Sequence, residues 1–178
     1  MKTPLLYGFA SALIGSVVMF ALHFAGFYDS VEKLPTAQIV GGVISLITIV
    51  TCMILAIRER QRELPAGREW GYGSAFGTAF LTGIVSMLVG TVVWFLYAKY
   101  VNPGSVDVMV EIEAAKMEAK GATDAQIDGM RSMMGPVFMT VMAVIGQTIM
   151  FLVLALIVAI FFRKAPAGAR AEVATTLM

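Results

Sequence analysis

The chain has 178 residues, 58% of them hydrophobic and only 14% charged, and its mean hydropathy is +0.82. Soluble domains carry about 25% charged and about 45–50% apolar residues, so this composition excludes an ordinary globular domain and a disordered chain. A net charge of +1 argues against a nucleic-acid binder, and the single cysteine, Cys52, excludes an internal disulfide and a cysteine-based zinc site.

The first apolar run, Leu5–Phe27, follows a short positive start at Lys2. It is too long for the core of a cleaved signal. A cut after Ala25 would also put His23 where a small residue is needed, so the run reads as a retained signal anchor. Three more runs follow: Thr36–Ile57, Ser74–Ala98 and Pro136–Phe162. None of the four contains Asp, Glu, Lys or Arg. About 20 apolar residues in a helix cross a hydrocarbon core of about 30 Å. Helices satisfy their own backbone in lipid, and the runs lack the alternation of barrel strands.

Charge predicts the orientation. Met1–Pro4, Arg58–Gly73 and Arg163–Met178 together hold 8 of the 13 basic residues against four acids. Arg58–Gly73 alone has four arginines, whereas Tyr28–Pro35 has one lysine. The positive-inside rule therefore places both termini in the cytoplasm.

Gly8–Phe20 (GFASALIGSVVMF) and Gly83–Phe95 (GIVSMLVGTVVWF) are identical at seven of 13 positions. Spans two and four match more weakly, around Gly41/Gly146, Ile44/Ile149 and Arg58/Arg163. The pattern suggests a parallel repeat of two hairpins, although recurring packing rules alone would also repeat Gly and Ser. Gly8, Ser11 and Gly15, and likewise Gly83, Ser86 and Gly90, recur at helical spacing. Small residues of this kind let membrane helices approach closely. Gly73 and Gly77 form a literal GxxxG, continued by Ala75, Ala79 and Gly83. Packing within the bundle and self-association are both open readings of it.

Between spans three and four lies the outer segment Val101–Gly135. Asn102-Pro103-Gly104 reads as a turn, and Ser105 as the cap of a helix running to about Lys120 and stopped by Gly121. Thr123 and Gln126 have capping-box spacing for a second helix, Asp124–Met134. Asp107, Glu111 and Glu118 fall near one face of the first helix and read as a solvated acidic face. Met130, Met133, Met134, Met139 and Met142 cluster at the outer edge. Thioethers suit Cu(I), but methionine more commonly fills gaps between helices.

Gln147 and Thr148 lie within span four, and Ser45, Thr48 and Thr51 within span two. Such groups hydrogen-bond neighbouring helices or line a site. No carboxylate interrupts a span, which argues against an autonomous proton pump. His23 reads as an interfacial residue. Tyr7, Trp70, Tyr72, Tyr97 and Tyr100 read as interfacial anchors. No HExxH, GxSxG or P-loop pattern occurs.

Several stretches carry a family resemblance. They are Tyr7-Gly8, the run Tyr72–Gly83, the close of span three from Tyr97 to Pro103, and Lys116–Ile127. In this order they resemble the bacterial membrane family known as domain of unknown function 4199. The likeness covers most of the chain, best from Arg68 to Lys164. It implies a four-span protein of the bacterial inner membrane and carries no reaction, ligand or catalytic residue.

The expected fold is an all-α membrane protein forming one domain over residues 1–178. It has four transmembrane helices as two tandem hairpins and an extracytoplasmic helical hairpin. The expected role is non-enzymatic, with no cofactor and with the lipid bilayer as surroundings. It would act through self-association or as an accessory to another membrane protein. The alternatives are an oligomeric carrier or channel subunit and an outer-face Cu(I) binder.

Overall fold

A computed structural model describes residues 2–28, 32–64 and 70–163, with the backbone alone for Pro136. Arg68 and Glu69, and the tail with Lys164, Arg170 and Glu172, lie outside the described residues. Among the described residues there are six α-helices and no strand. Four are long and apolar enough to cross a membrane.

Helix α1 spans Lys2–Phe24. It ends three residues before the apolar run does, because Gly26 adopts φ 75°. There the Gly26 N–H donates to the His23 carbonyl at 2.8 Å, and the Phe27 N–H to that of Leu22 at 3.0 Å. This left-handed turn satisfies the last carbonyls. Helix α2 spans Leu34–Arg62, with Pro35 in its first turn. It runs past Ile57, where apolarity stops, because Arg58, Glu59, Arg60, Gln61 and Arg62 are good helix formers. Part of the expected inner loop is therefore helical.

Helix α3 spans Tyr72–Leu96 and widens into a π-helical turn over Tyr97–Val101. The Asn102 N–H closes that turn on the Tyr97 carbonyl at 2.9 Å. Helix α4 spans Ser105–Ala119 and α5 Asp124–Met133. The expected Ser105 cap is corrected. Gly104 takes the cap position, and the Ser105 hydroxyl, inside the first turn, is buried without a partner. Gly121 ends α4 at φ 81°. The Thr123 N–H donates to Gln126 Oε1 at 2.9 Å, as capping-box spacing requires. Helix α6 spans Pro136–Phe161.

Helix α3 is central and packs on α1, α2 and α6, while α1 also packs on α2. Contact between α2 and α6 is slight. The core joins Ile49, Met53 and Ile57 of α2, Ala75, Ala79 and Met87 of α3, and Phe151, Ala155, Val158 and Ala159 of α6. Alanines on both α3 and α6 bring those two backbones close. The outer surface is apolar: Leu6, Val17, Ile47, Leu88 and Val92 are all exposed. Such a surface suits hydrocarbon rather than water.

Candidate intramembrane binding site

The two ends of the bundle differ. At the end carrying the N-terminus, polar side chains tie the helices together. Tyr7 donates to Glu59 at 2.7 Å, and Thr3 to Glu63 at 3.0 Å, joining α1 to α2. The Trp70 indole donates to the Phe162 carbonyl at 2.8 Å, and Tyr72 to that of Leu156 at 3.3 Å. The Arg58 guanidinium lies over the Phe162 ring, 5.7 Å from its centroid. Together with the core described above, these contacts close this end.

Toward the other end the helices part around a cavity of about 470 Å³. Its inner limit is set by Ser11 and Ser86, whose hydroxyls meet at 3.3 Å across α1 and α3. These serines occupy equivalent positions of the sequence repeat. Gly15 and Gly90 form part of the wall, as do Gly41, Gly42 and Ser45 of α2. Missing side chains at Gly42 and Gly90 leave open space, with no atom within 4 Å of where a Cβ would stand. Helix α6 contributes Thr140, Ala143, Gln147, Met150 and Phe151. Gln38, Tyr28 and Trp94 also line the cavity.

Gln147 lines the cavity and is also exposed. Among the described residues its amide has no hydrogen-bond partner. Hydroxyls of α2 and α6 that do not line the cavity behave differently. Thr48 and Thr51 bond back to the carbonyls of Ile44 and Ile47, each at 2.8 Å. Thr148 bonds back to Val144 at 2.7 Å and touches Met87 Sδ at 3.3 Å. These satisfied groups leave Gln147 as the polar side chain of α6 available to a ligand near mid-span.

An aromatic cluster joins the ends of α1 and α3. The Tyr97 hydroxyl lies 3.1 Å from His23 Nδ1 and accepts from Asn102 Nδ2 at 3.2 Å. Tyr97, expected as an interfacial anchor, is only 2% exposed and bridges α1 and the π-helical turn inside the bundle, whereas Tyr100 is exposed. Burial pushes the Tyr28 phenol above its ordinary pKa, and neighbouring Tyr97 adds to the shift.

The small-residue positions separate by partner. A Cβ on Gly8 would stand 2.7 Å from the Thr82 carbonyl oxygen and from Val85 Cβ, on α3. One on Gly83 would stand 2.9 Å from Phe151 on α6. Gly73 and Gly77 have open space around them, while Ala75 and Ala79 are fully buried. The GxxxG pair and the alanine row thus occupy different faces of α3.

The methionines are distributed over two elements. Met130 and Met133 lie on α5, Met134 caps it, and Met139 and Met142 lie on α6 beyond the Gly135–Pro136 break. Met133 and Met142 are exposed. Among the described residues no group of three or more His, Cys, Asp or Glu side chains is placed to hold a metal ion. Cys52 is buried on α2. Glu111 and Glu118 line a cleft between α4 and α5 with Asp124 and Asp128, and Arg131 bridges Glu111 at 3.4 Å and Asp128 at 3.8 Å. Asp107 is exposed away from it.

The chain matches the family model described as "Protein of unknown function (DUF4199)" over residues 6–164. It belongs to that family. No curated protein and no solved structure matches it. Membership, together with four apolar helices, makes the chain a multi-pass membrane protein. The family match includes every residue of the chamber wall named above. Spacing and polarity in the sequence mark Ser11, Gly15, Ser45, Ser86, Gly90 and Gln147, and the repeat marks Gly41, but no linear pattern joins them with Gln38, Gly42, Thr91, Trp94 and Thr140 in one wall. The adjacent glycines at 41 and 42, four and three residues before Ser45, were the available signal on α2.

Proposed function

We propose that this DUF4199 member is a non-enzymatic binding protein of the bacterial inner membrane, a carrier or channel subunit whose working part is the chamber. The observation that carries this reading is the placement of Gln147 on the chamber wall, together with polar groups from the other three helices. Pockets for small molecules are mostly apolar, measure about 300–1,000 Å³ and hold a few placed polar groups. The chamber has these properties.

In this reading both termini are cytoplasmic and the chamber lies in the outer half of the bilayer. Support comes from Lys2, Arg58, Arg60, Arg62 and Arg163, which all belong to the end where α1 begins and α2 and α6 finish. Two tandem hairpins, α1–α2 and α3–α6, fit the repeat, because the equivalent residues Ser11 and Ser86 meet between them.

The test is purification from native membranes in mild detergent, followed by native mass spectrometry of wild type and Gly42→Trp. A small molecule retained at stoichiometric amount by wild type and lost from the variant is expected. Retention by neither, or equally by both, would reject the chamber. A second reading, an accessory subunit acting through helix association, is favoured by the open space around Gly73 and Gly77. A stoichiometric foreign protein in the same preparation would select it.

A further inference from the structure

The walls of the chamber say what kind of molecule it takes. No Asp, Glu, Lys, Arg or His is among the residues that line it. An ionised group placed there would lose its hydration without a counter-charge, which is strongly unfavourable at membrane depth. The unpartnered Gln147 amide offers both a donor and an acceptor, so it complements a neutral hydroxyl or carbonyl.

The shape of the opening gives the route. Helices α1 and α3 are sealed to each other by the Ser11–Ser86 contact and by Gly8 against Thr82. Helices α2 and α6 barely meet. Gly42, Ser45 and Leu46 on one side, and Ala143, Gln147 and Met150 on the other, line the chamber yet remain exposed. The chamber is therefore open sideways, toward the hydrocarbon that surrounds the bundle. Its 470 Å³ holds roughly 15 groups at ~30 Å³, the share of one water molecule. That matches one alkyl chain of about 15 carbons.

We propose that the chamber takes an uncharged, single-chain amphiphile, which enters from the bilayer between α2 and α6 and hydrogen-bonds its hydroxyl or carbonyl oxygen to Gln147. This rests on the binding reading above and adds the ligand class and the route.

The test uses the full chain in phosphatidylcholine nanodiscs with three photoreactive probes. They are a diazirine-bearing hexadecyl alcohol, the matching carboxylic acid and the matching trimethylammonium compound. The alcohol is expected to crosslink within residues 41–49 and 140–151, about tenfold more than either ion, and to be displaced by plain hexadecanol. Gln147→Leu, which keeps the wall apolar, should lower that labelling about fivefold, the worth of one hydrogen bond. Gly42→Trp should abolish it. A Cβ at 42 has no atom within 4 Å, so the backbone there accepts a side chain without moving.

Equal labelling of the chamber by the acid or the ammonium compound would overturn the uncharged class and leave the binding reading standing. Undiminished labelling in Gln147→Leu would overturn the assignment of the polar head. Labelling spread over lipid-facing positions such as Ile39 and Leu88, and unchanged by Gly42→Trp, would overturn both the ligand and the chamber.

Discussion

Gly8 and Gly83 occupy the same place in the repeat, yet each is needed for a different neighbour. Gly8 lets α1 sit against the backbone of α3, and Gly83 lets α3 sit against Phe151 of α6. Adding a methyl group at Gly8 forces a backbone oxygen to move, and overpacking of this sort costs about 1–3 kcal/mol. Gly8→Ala is therefore expected to lower the unfolding midpoint of the purified protein clearly. Gly77→Ala, which meets nothing, should leave it unchanged or raise it slightly. Equal effects of the two would show that the α1–α3 approach is looser than 2.7 Å implies. The sequence marked both glycines as packing residues. It could not mark their partners, because residues with identical spacing face whichever helix the tertiary arrangement supplies.

At the scale of elements, the hydrogen bonds between α1 and α2 tie the closed end. Tyr7 is not merely an aromatic ring at an interface, because its hydroxyl holds Glu59 across the helix pair. Bonds to charged acceptors are worth about 1.5–3 kcal/mol when well sheltered, and Glu59 is only half-buried. Tyr7→Phe should cost about 1 kcal/mol, measured as a lowered midpoint in thermal or SDS unfolding. An unchanged midpoint would mean water serves Glu59 equally well. Helix existence was legible from apolar length, and the stop at Gly121 and the capping pair Thr123/Gln126 from local chemistry. The extension of α2 to Arg62 was not, since hydropathy records where lipid ends and not where a helix does. The π-turn at Tyr97–Val101 leaves no mark in periodicity over so few residues. The chamber was only partly legible: Gln147 stood out as a polar residue in an apolar run, but a wall shared by four helices has no linear pattern.

For the whole molecule, charge and cavity have opposite ends. Among the described residues, the arginines of α2 and Arg163 mark the closed end, and the α4–α5 hairpin follows the other end of α3. Alkaline phosphatase inserted after Gly121 is expected to be active in a bacterial host, and a fluorescent protein fused after Met178 to fluoresce. The reverse pair of results would invert the orientation and turn the chamber toward the cytoplasm. Arg131, with its partners Glu111 and Asp128, lies on the hairpin, so salt should loosen that pair while leaving the membrane bundle intact.

One-sided packing also gives α6 mechanical leverage. Its final turns are anchored by Ala155 and Ala159, both fully buried on the core, while Val137, Val141 and Ile145 near its start are exposed. Some 19 residues separate Pro136 from Ala155, an arm of about 28 Å. A tilt of about five degrees about that anchor swings the start of α6 by about 2.5 Å, nearly half a helical turn in height. At Gln147, about 12 Å from Ala155, the same tilt moves the wall by about 1 Å, so the aperture widens toward the start of α6 and a side chain that changes the seat of Ala155 acts on it.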